Sequence, residues 1–224
     1  MSTCVAVRQV SKSYHDGESR NQVLRGVALS LPTGSSLALT GPSGSGKSTL
    51  LNLIAGLMAV DEGEIDILSH DQRFALHRMN ERERTLCRRR HIAYIHQFFN
   101  LVPTLTVLEN VALPGYLNGA RPGRDRCLEL LARFGLQDAA DRFPERLSGG
   151  EQQRVAVARS LALDVAVLLA DEPTGNLDQD NAQQVASALF AAAREQGLGL
   201  IVATHSSRVA ELAEQQLQLA KTPT

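Results

Sequence analysis

Ser36-Leu-Ala-Leu-Thr-Gly41-Pro-Ser-Gly-Ser-Gly46-Lys47-Ser48-Thr-Leu-Leu51 decides the fold class. Residues 36–40 read as a short buried strand. From Ser48 to Leu57 apolar residues recur at helical spacing. Between strand and helix, residues 41–48 match the pattern G-x-x-x-x-G-K-[ST] without exception. Glycines let such a loop curl so that backbone N–H groups converge on phosphate oxygens, and the helix start adds its positive end. Lys47 is then expected on the β- and γ-phosphates, and the Ser48 hydroxyl on a Mg²⁺ ion. The expected nucleotide contacts are Gly41, Ser43, Gly44, Ser45, Gly46, Lys47, Ser48 and Thr49.

Outward from this unit, residues 4–10, 23–31, 64–68 and 92–95 read as strands. Residues 165–170 (VAVLLA) and 199–204 (GLIVAT) are continuous apolar runs, the mark of strands covered on both faces. Helices are expected over 124–135, closed by Gly135, over 151–163 and over the alanine-rich 181–196. The arginine-rich stretch 75–91 reads as a basic, solvated helix, with an anion or partner contact as its functional alternative. Residues 103–119, with Pro103, Pro114, Gly115 and Gly119, are expected to interrupt regular structure. Strands alternating with helices imply a mainly parallel sheet.

Asp171 and Glu172 end the strand in 165–170, and ligands of open α/β sheets bind at the carboxyl ends of strands. Asp171 is expected near Mg²⁺. Glu172 points the other way and is suited to orient and deprotonate a water. Phosphoryl transfer needs little beyond such positioning and charge neutralisation.

Leu147-Ser148-Gly149-Gly150-Glu151-Gln152-Gln153-Arg154, just before the carboxylate strand, resembles the signature motif of ATP-binding-cassette (ABC) ATPases. Ser148 suits a helix start whose Gly149 and Gly150 N–H groups face an anion. The resemblance spans about residues 4–210. It implies an α/β P-loop NTPase fold of the ABC nucleotide-binding type: a mainly parallel core sheet, an N-terminal antiparallel β part and a helical subdomain near 98–160, all in one domain over 1–224. It makes Gln97 the Q-loop glutamine that senses Mg²⁺ and γ-phosphate, with Ser48 and Asp171 completing the metal set. It likewise makes His205 the switch histidine, Asp178 the D-loop aspartate and Tyr14 an aromatic beneath adenine. Glu172, His205 and Lys47 are the expected catalytic groups. ATP and Mg²⁺ are the implied cofactors. A head-to-tail dimer with ATP between one phosphate loop and the other subunit's signature is the implied assembly.

Asn100-Leu101, Leu105-Thr106, Glu109-Asn110-Val111, Pro114 and Ala170–Asp178 look like the macrolide-export and lipoprotein-release type. That resemblance implies an ATPase driving a partner permease, which it meets around residues 98–115, from the inner face of the cell membrane. The alternative is an actuator of the cell-division type that moves no cargo. Glu151 replaces the generic signature glutamine, which this subtype tolerates. After His205 the usual strand–glycine–strand ending is expected to be shortened or missing.

Composition sets the outer bounds. The 224 residues are 43% hydrophobic and 21% charged, which excludes a chain disordered throughout. The 23 basic and 24 acidic residues leave a formal charge of −1, which argues against a large nucleic-acid surface and against a DNA-repair or translation role. Cys4, Cys87 and Cys127 form no CxxC pair, so neither a disulfide framework nor a zinc site is expected. The N-terminus lacks the apolar run of a signal peptide, and no apolar stretch approaches the roughly 20 residues of a membrane span.

Overall fold

Period-two burial organises the centre of the molecule. A computed structural model describes residues 2–17, 19–120, 123–175 and 177–221. Asn176 of the 170–178 run and the last three residues lie outside them. Strands β3 (Ser36–Thr40), β6 (Ile92–Ile95), β7 (Val167–Asp171), β8 (Gly199–Ala203) and β9 (Gln215–Gln218) form a parallel sheet in the order β6-β7-β8-β3-β9. Val167, Leu169, Ile201 and Ala203 face one side. They pack on Leu50, Leu51, Leu53 and Ile54 of helix α1 (Lys47–Ile54). Leu168, Ala170, Leu200 and Val202 face the other side. With both faces covered, neither run has a polar alternation.

The first side is closed by an antiparallel sheet of β1 (Thr3–Asp16), β2 (Ser19–Pro32), β4 (Glu62–Ser69) and β5 (Gln72–Ala75), ordered β2-β1-β4-β5. The second side carries α3 (Val107–Leu117), α4 (Arg124–Arg133), α5 (Gly149–Leu161) and α6 (Gln179–Glu195). Helices α2 (Glu81–His91) and α7 (Ser207–Ala210) complete the fold. The parallel core and the antiparallel N-terminal part are as expected. Helix α4 is closed by Gly135 at φ +67°, a left-handed stop that glycine adopts without steric cost. Strand β9 forms despite the expected shortening of the C-terminus. No helix among the described residues is long and apolar enough to cross a membrane.

Residues 107–117 correct one expectation: they are helical, with Pro114 and Gly115 inside α3. Thr106 and Glu109 form a reciprocal capping box that starts the helix, and Pro114, which has no N–H to give the Asn110 carbonyl, lies inside it without ending it. Asn110, wholly buried, bonds Val102, Leu105 and Thr106 and anchors the entering loop. All three cysteines are buried free thiols. Burial pushes Cys4 and Cys87 each up to about 11, so neither is a ready nucleophile.

Helix α2 ends at His91, whose ring lies 4.2 Å from Phe74 and whose Nδ1 is 3.1 Å from Ser69 Oγ. Burial holds the His91 imidazole below its ordinary value, and the nearby His70 and Arg90 act in the same direction. The unfolded chain therefore binds this proton more tightly than the folded one. The stability is fully present above the unfolded value of about 6.5 and is lost as pH falls through the lower folded value. The midpoint of thermal unfolding should fall between pH 7.5 and 5.5, and His91→Gln should reduce that fall.

Candidate active site

The register of the parallel sheet assembles the site. Leu39 and Asp171 both align with Ala203, while Ile95 aligns with Ala170, so β3, β6, β7 and β8 end together along one edge. The residues that leave those strands are Gly41 onward, Gln97, Glu172 and His205. They converge on a cleft of 610 Å³, where Ser43, Gly44, Gly46, Lys47, Ser48, Thr49, Gln97, Asp171, Glu172 and His205 line the walls. Residues far apart in the chain thus meet because their strands share a carboxyl edge.

The loop 41–46 needs its glycines. Gly41 has φ +138°, and a Cβ there would sit 2.3 Å from the Leu219 carbonyl oxygen; Gly46 has φ +92°, with a Cβ 2.6 Å from Leu24. Lys47 Nζ donates to the carbonyls of Gly41 at 2.8 Å and Pro42 at 3.3 Å, folding the ammonium back over the loop. The Ser45 hydroxyl is buried without a hydrogen-bond partner among the described residues, an unmet polar group that a ligand in the loop could satisfy. Ser48 Oγ donates to Asp171 Oδ1 at 3.1 Å across 123 residues. A hydroxyl beside a carboxylate is a hard oxygen donor set that fits Mg²⁺.

Glu172 takes φ +47°, a left-handed conformation uncommon for a residue with a side chain. Its N–H donates to Ala203 O at 2.9 Å, which holds the turn. Its carboxylate lies 2.8 Å from His205 Nδ1, with the glutamate largely covered and the imidazole exposed. Local strain of this kind persists where surrounding structure fixes it and concentrates at functional sites.

Other expected residues stand elsewhere. Tyr14 is 40% exposed on β1, with its hydroxyl 3.4 Å from Thr49 Oγ1 at the edge of the cleft. Ser148 caps α5: its Oγ accepts from Glu151 N–H, and Glu151 Oε2 accepts from the Ser148 hydroxyl and N–H, each at 2.8 Å. These bonds, led by the Ser148 hydroxyl, hold the Glu151 carboxyl below its usual range, and Glu151 completes the capping box as glutamine also would. Asp178 caps α6 and is likewise held low by the Asn181 side chain and N–H. Ser148, Gly149, Gly150 and Asp178 do not line the cleft. Asn21, Val23 and Gly175 do line it; Asn21 and Val23 lie in a strand whose sequence carries no signal of this.

The phosphate loop, the strand-end carboxylates and the capped signature helix define the ATP-binding subunit of an ABC transporter, an ATP hydrolase, and the chain belongs to that family. The family profile described as ABC transporter matches residues 24–175. The lipoprotein-releasing system ATP-binding protein LolD of Granulibacter bethesdensis is 43% identical over 220 residues, covering 97% of this chain and 94% of its own. YbbA of Escherichia coli, an uncharacterized ABC transporter ATP-binding protein, is 42% identical over 217 residues, covering 96% and 93%. The dimeric post-hydrolysis structure of the ATP-binding cassette MJ0796 with ADP and Pi superposes with a TM-score of 0.86 at 37% identity, covering 98% and 97%.

Proposed function

We propose that two copies of this chain close head to tail around ATP and Mg²⁺, and that opening and closing drive a permease of the lipoprotein-releasing or mechanotransmitting kind. One observation carries the first half. The cleft holds the phosphate loop, Gln97, Glu172 and His205 but none of Ser148, Gly149 or Gly150. In this reading a single chain offers its nucleotide an unfinished site that a second copy completes, a reading supported by the dimeric state of the solved relatives.

In this reading Lys47 neutralises β- and γ-phosphate charge, and the loop N–H groups hold the phosphate chain. Ser48, Asp171 and Gln97 would hold Mg²⁺, which when bound neutralises further phosphate charge. Glu172 accepts the proton of the attacking water, and His205, already beside it, holds the γ-phosphate. Ser148 and the Gly149 and Gly150 N–H groups approach the same phosphate from the opposite subunit, with Asp178 beside them. Tyr14 stacks on adenine. ATP bridging the interface supplies the differential affinity that closes the dimer, and hydrolysis removes it.

The permease is assigned to residues 98–115, the segment after Gln97, within the stretch 98–160 read as the helical subdomain. Among the described residues Phe98 is the most exposed large apolar side chain, at 72%, and Tyr116 and Leu117 just beyond are more than half exposed. Through this contact the chain would sit on the inner face of the membrane. Affinity purification of tagged Glu172→Gln from membranes solubilised with ATP and Mg²⁺ is expected to recover a permease with a large external domain. Phe98→Asp should abolish that recovery while leaving ATP binding within about twofold, since a charge placed in an apolar interface is penalised locally. Recovery of soluble factors alone would contradict the membrane role.

A further inference from the structure

Arg159, on the helix that Ser148 starts, is half-buried and faces no carboxylate within salt-bridge distance among the described residues. Its guanidinium instead donates to two successive backbone carbonyls, Asn100 O at 2.7 Å and Phe99 O at 3.0 Å. These belong to the chain immediately after Gln97. Arginine suits the task because its planar fork can serve two adjacent acceptors, which a lysine ammonium matches poorly. Burying a cation on neutral carbonyls is unfavourable, and desolvation holds this guanidinium below its ordinary value.

Two further features localise the effect. Asn100 adopts φ +49°, so the backbone that Arg159 grips is bent into a left-handed turn. At the other end of α5, the Phe99 ring approaches the bare backbone of Gly149, where an added Cβ would stand 3.7 Å from Phe99 Cζ. The segment after Gln97 is therefore fixed to α5 by Arg159, with the Phe99 ring lying near the helix start at Gly149.

We propose that Arg159 is a positioning residue for Gln97, locking the backbone after that glutamine to the signature helix so that the two are placed by one rigid element. The proposal rests on the reading of Gln97 given above. It links the glutamine of one composite site to the Ser148–Gly150 segment that completes the other site of the dimer. Displacing α5 against the core then also displaces Gln97.

A double-mutant cycle on the full chain tests this, with Gln97→Ala, Arg159→Met and their combination measured for kcat and KM of ATP hydrolysis. Arg159→Met is expected to lower kcat by roughly 10- to 100-fold, the scale of a misplacement of about 1 Å, with KM within about twofold. The double variant should be no more than about twofold slower than Gln97→Ala alone, because both changes disable one function. Arg159→Lys should recover part of the loss. If Arg159→Met gives no cooperative unfolding transition, the Lys variant takes its place in the cycle. A slow Gln97→Ala whose effect multiplies with that at position 159 overturns the assignment to Arg159 alone. A Gln97→Ala enzyme at the wild-type rate overturns the underlying reading of Gln97, and this inference with it.

Discussion

Glu172→Gln is expected to bind ATP with near wild-type affinity and to hydrolyse it at least 10²- to 10⁴-fold more slowly, the range a positioned general base supplies. The amide is close in shape to the carboxylate, so the turn at φ +47° and the Ala203 contact need not change. What disappears is the group proposed to accept the water proton. The 2.8 Å contact to His205 can persist, since an amide still offers an oxygen or an N–H to Nδ1. Single-turnover assays with nucleotide binding measured separately would distinguish the two effects. Normal turnover would remove Glu172 from the role of base.

Lys47→Ala should act on the other quantity. Lys47 Nζ rests on the Gly41 and Pro42 carbonyls, which among the described residues are neutral acceptors. Phosphate oxygens compete readily for it, because they add the attraction of a full negative charge to the ammonium, which a neutral carbonyl dipole lacks. Two such bonds at about 1.5–3 kcal/mol each correspond to roughly 10²- to 10⁴-fold in ATP affinity. Isothermal titration of the variant with ATP and Mg²⁺ checks this. Retained affinity would mean that the loop N–H groups suffice.

Much of the site was legible because its chemistry is local. Residues 41–48 carry their geometry in their glycines, and the run 165–172 announces both a buried strand and its terminal carboxylates. The rest of the cleft depends on register. The Ser48–Asp171 contact spans 123 residues and follows from β3 and β7 flanking β8. Asn21 and Val23 were illegible because a strand residue gives no sign of what its far end will approach. Arg159 sits on a helix whose pattern explains itself as packing, and its partners are backbone carbonyls, which have no side-chain signal.

The fold was legible where one period dominated. The buried strands β6, β7 and β8 fall where their apolar runs lie. Helix α3 was misread because Pro114 and Gly115 weigh as breakers, whereas the Thr106–Glu109 capping box and the anchoring of Asn110 determine the outcome. Strand β5 was missed because Gln72–Ala75 has one large apolar residue and gains its partner only by folding back on β4.

One chain is proposed to hold an incomplete site that a second copy completes. The most direct measurement is the solution mass of Glu172→Gln with and without ATP and Mg²⁺, repeated with Ser148→Arg added. A monomer is expected without nucleotide, twice that mass with ATP, and a nucleotide-bound monomer once Ser148→Arg is present. A chain that stays monomeric with ATP bound, or that dimerises equally well with Ser148→Arg, would contradict it.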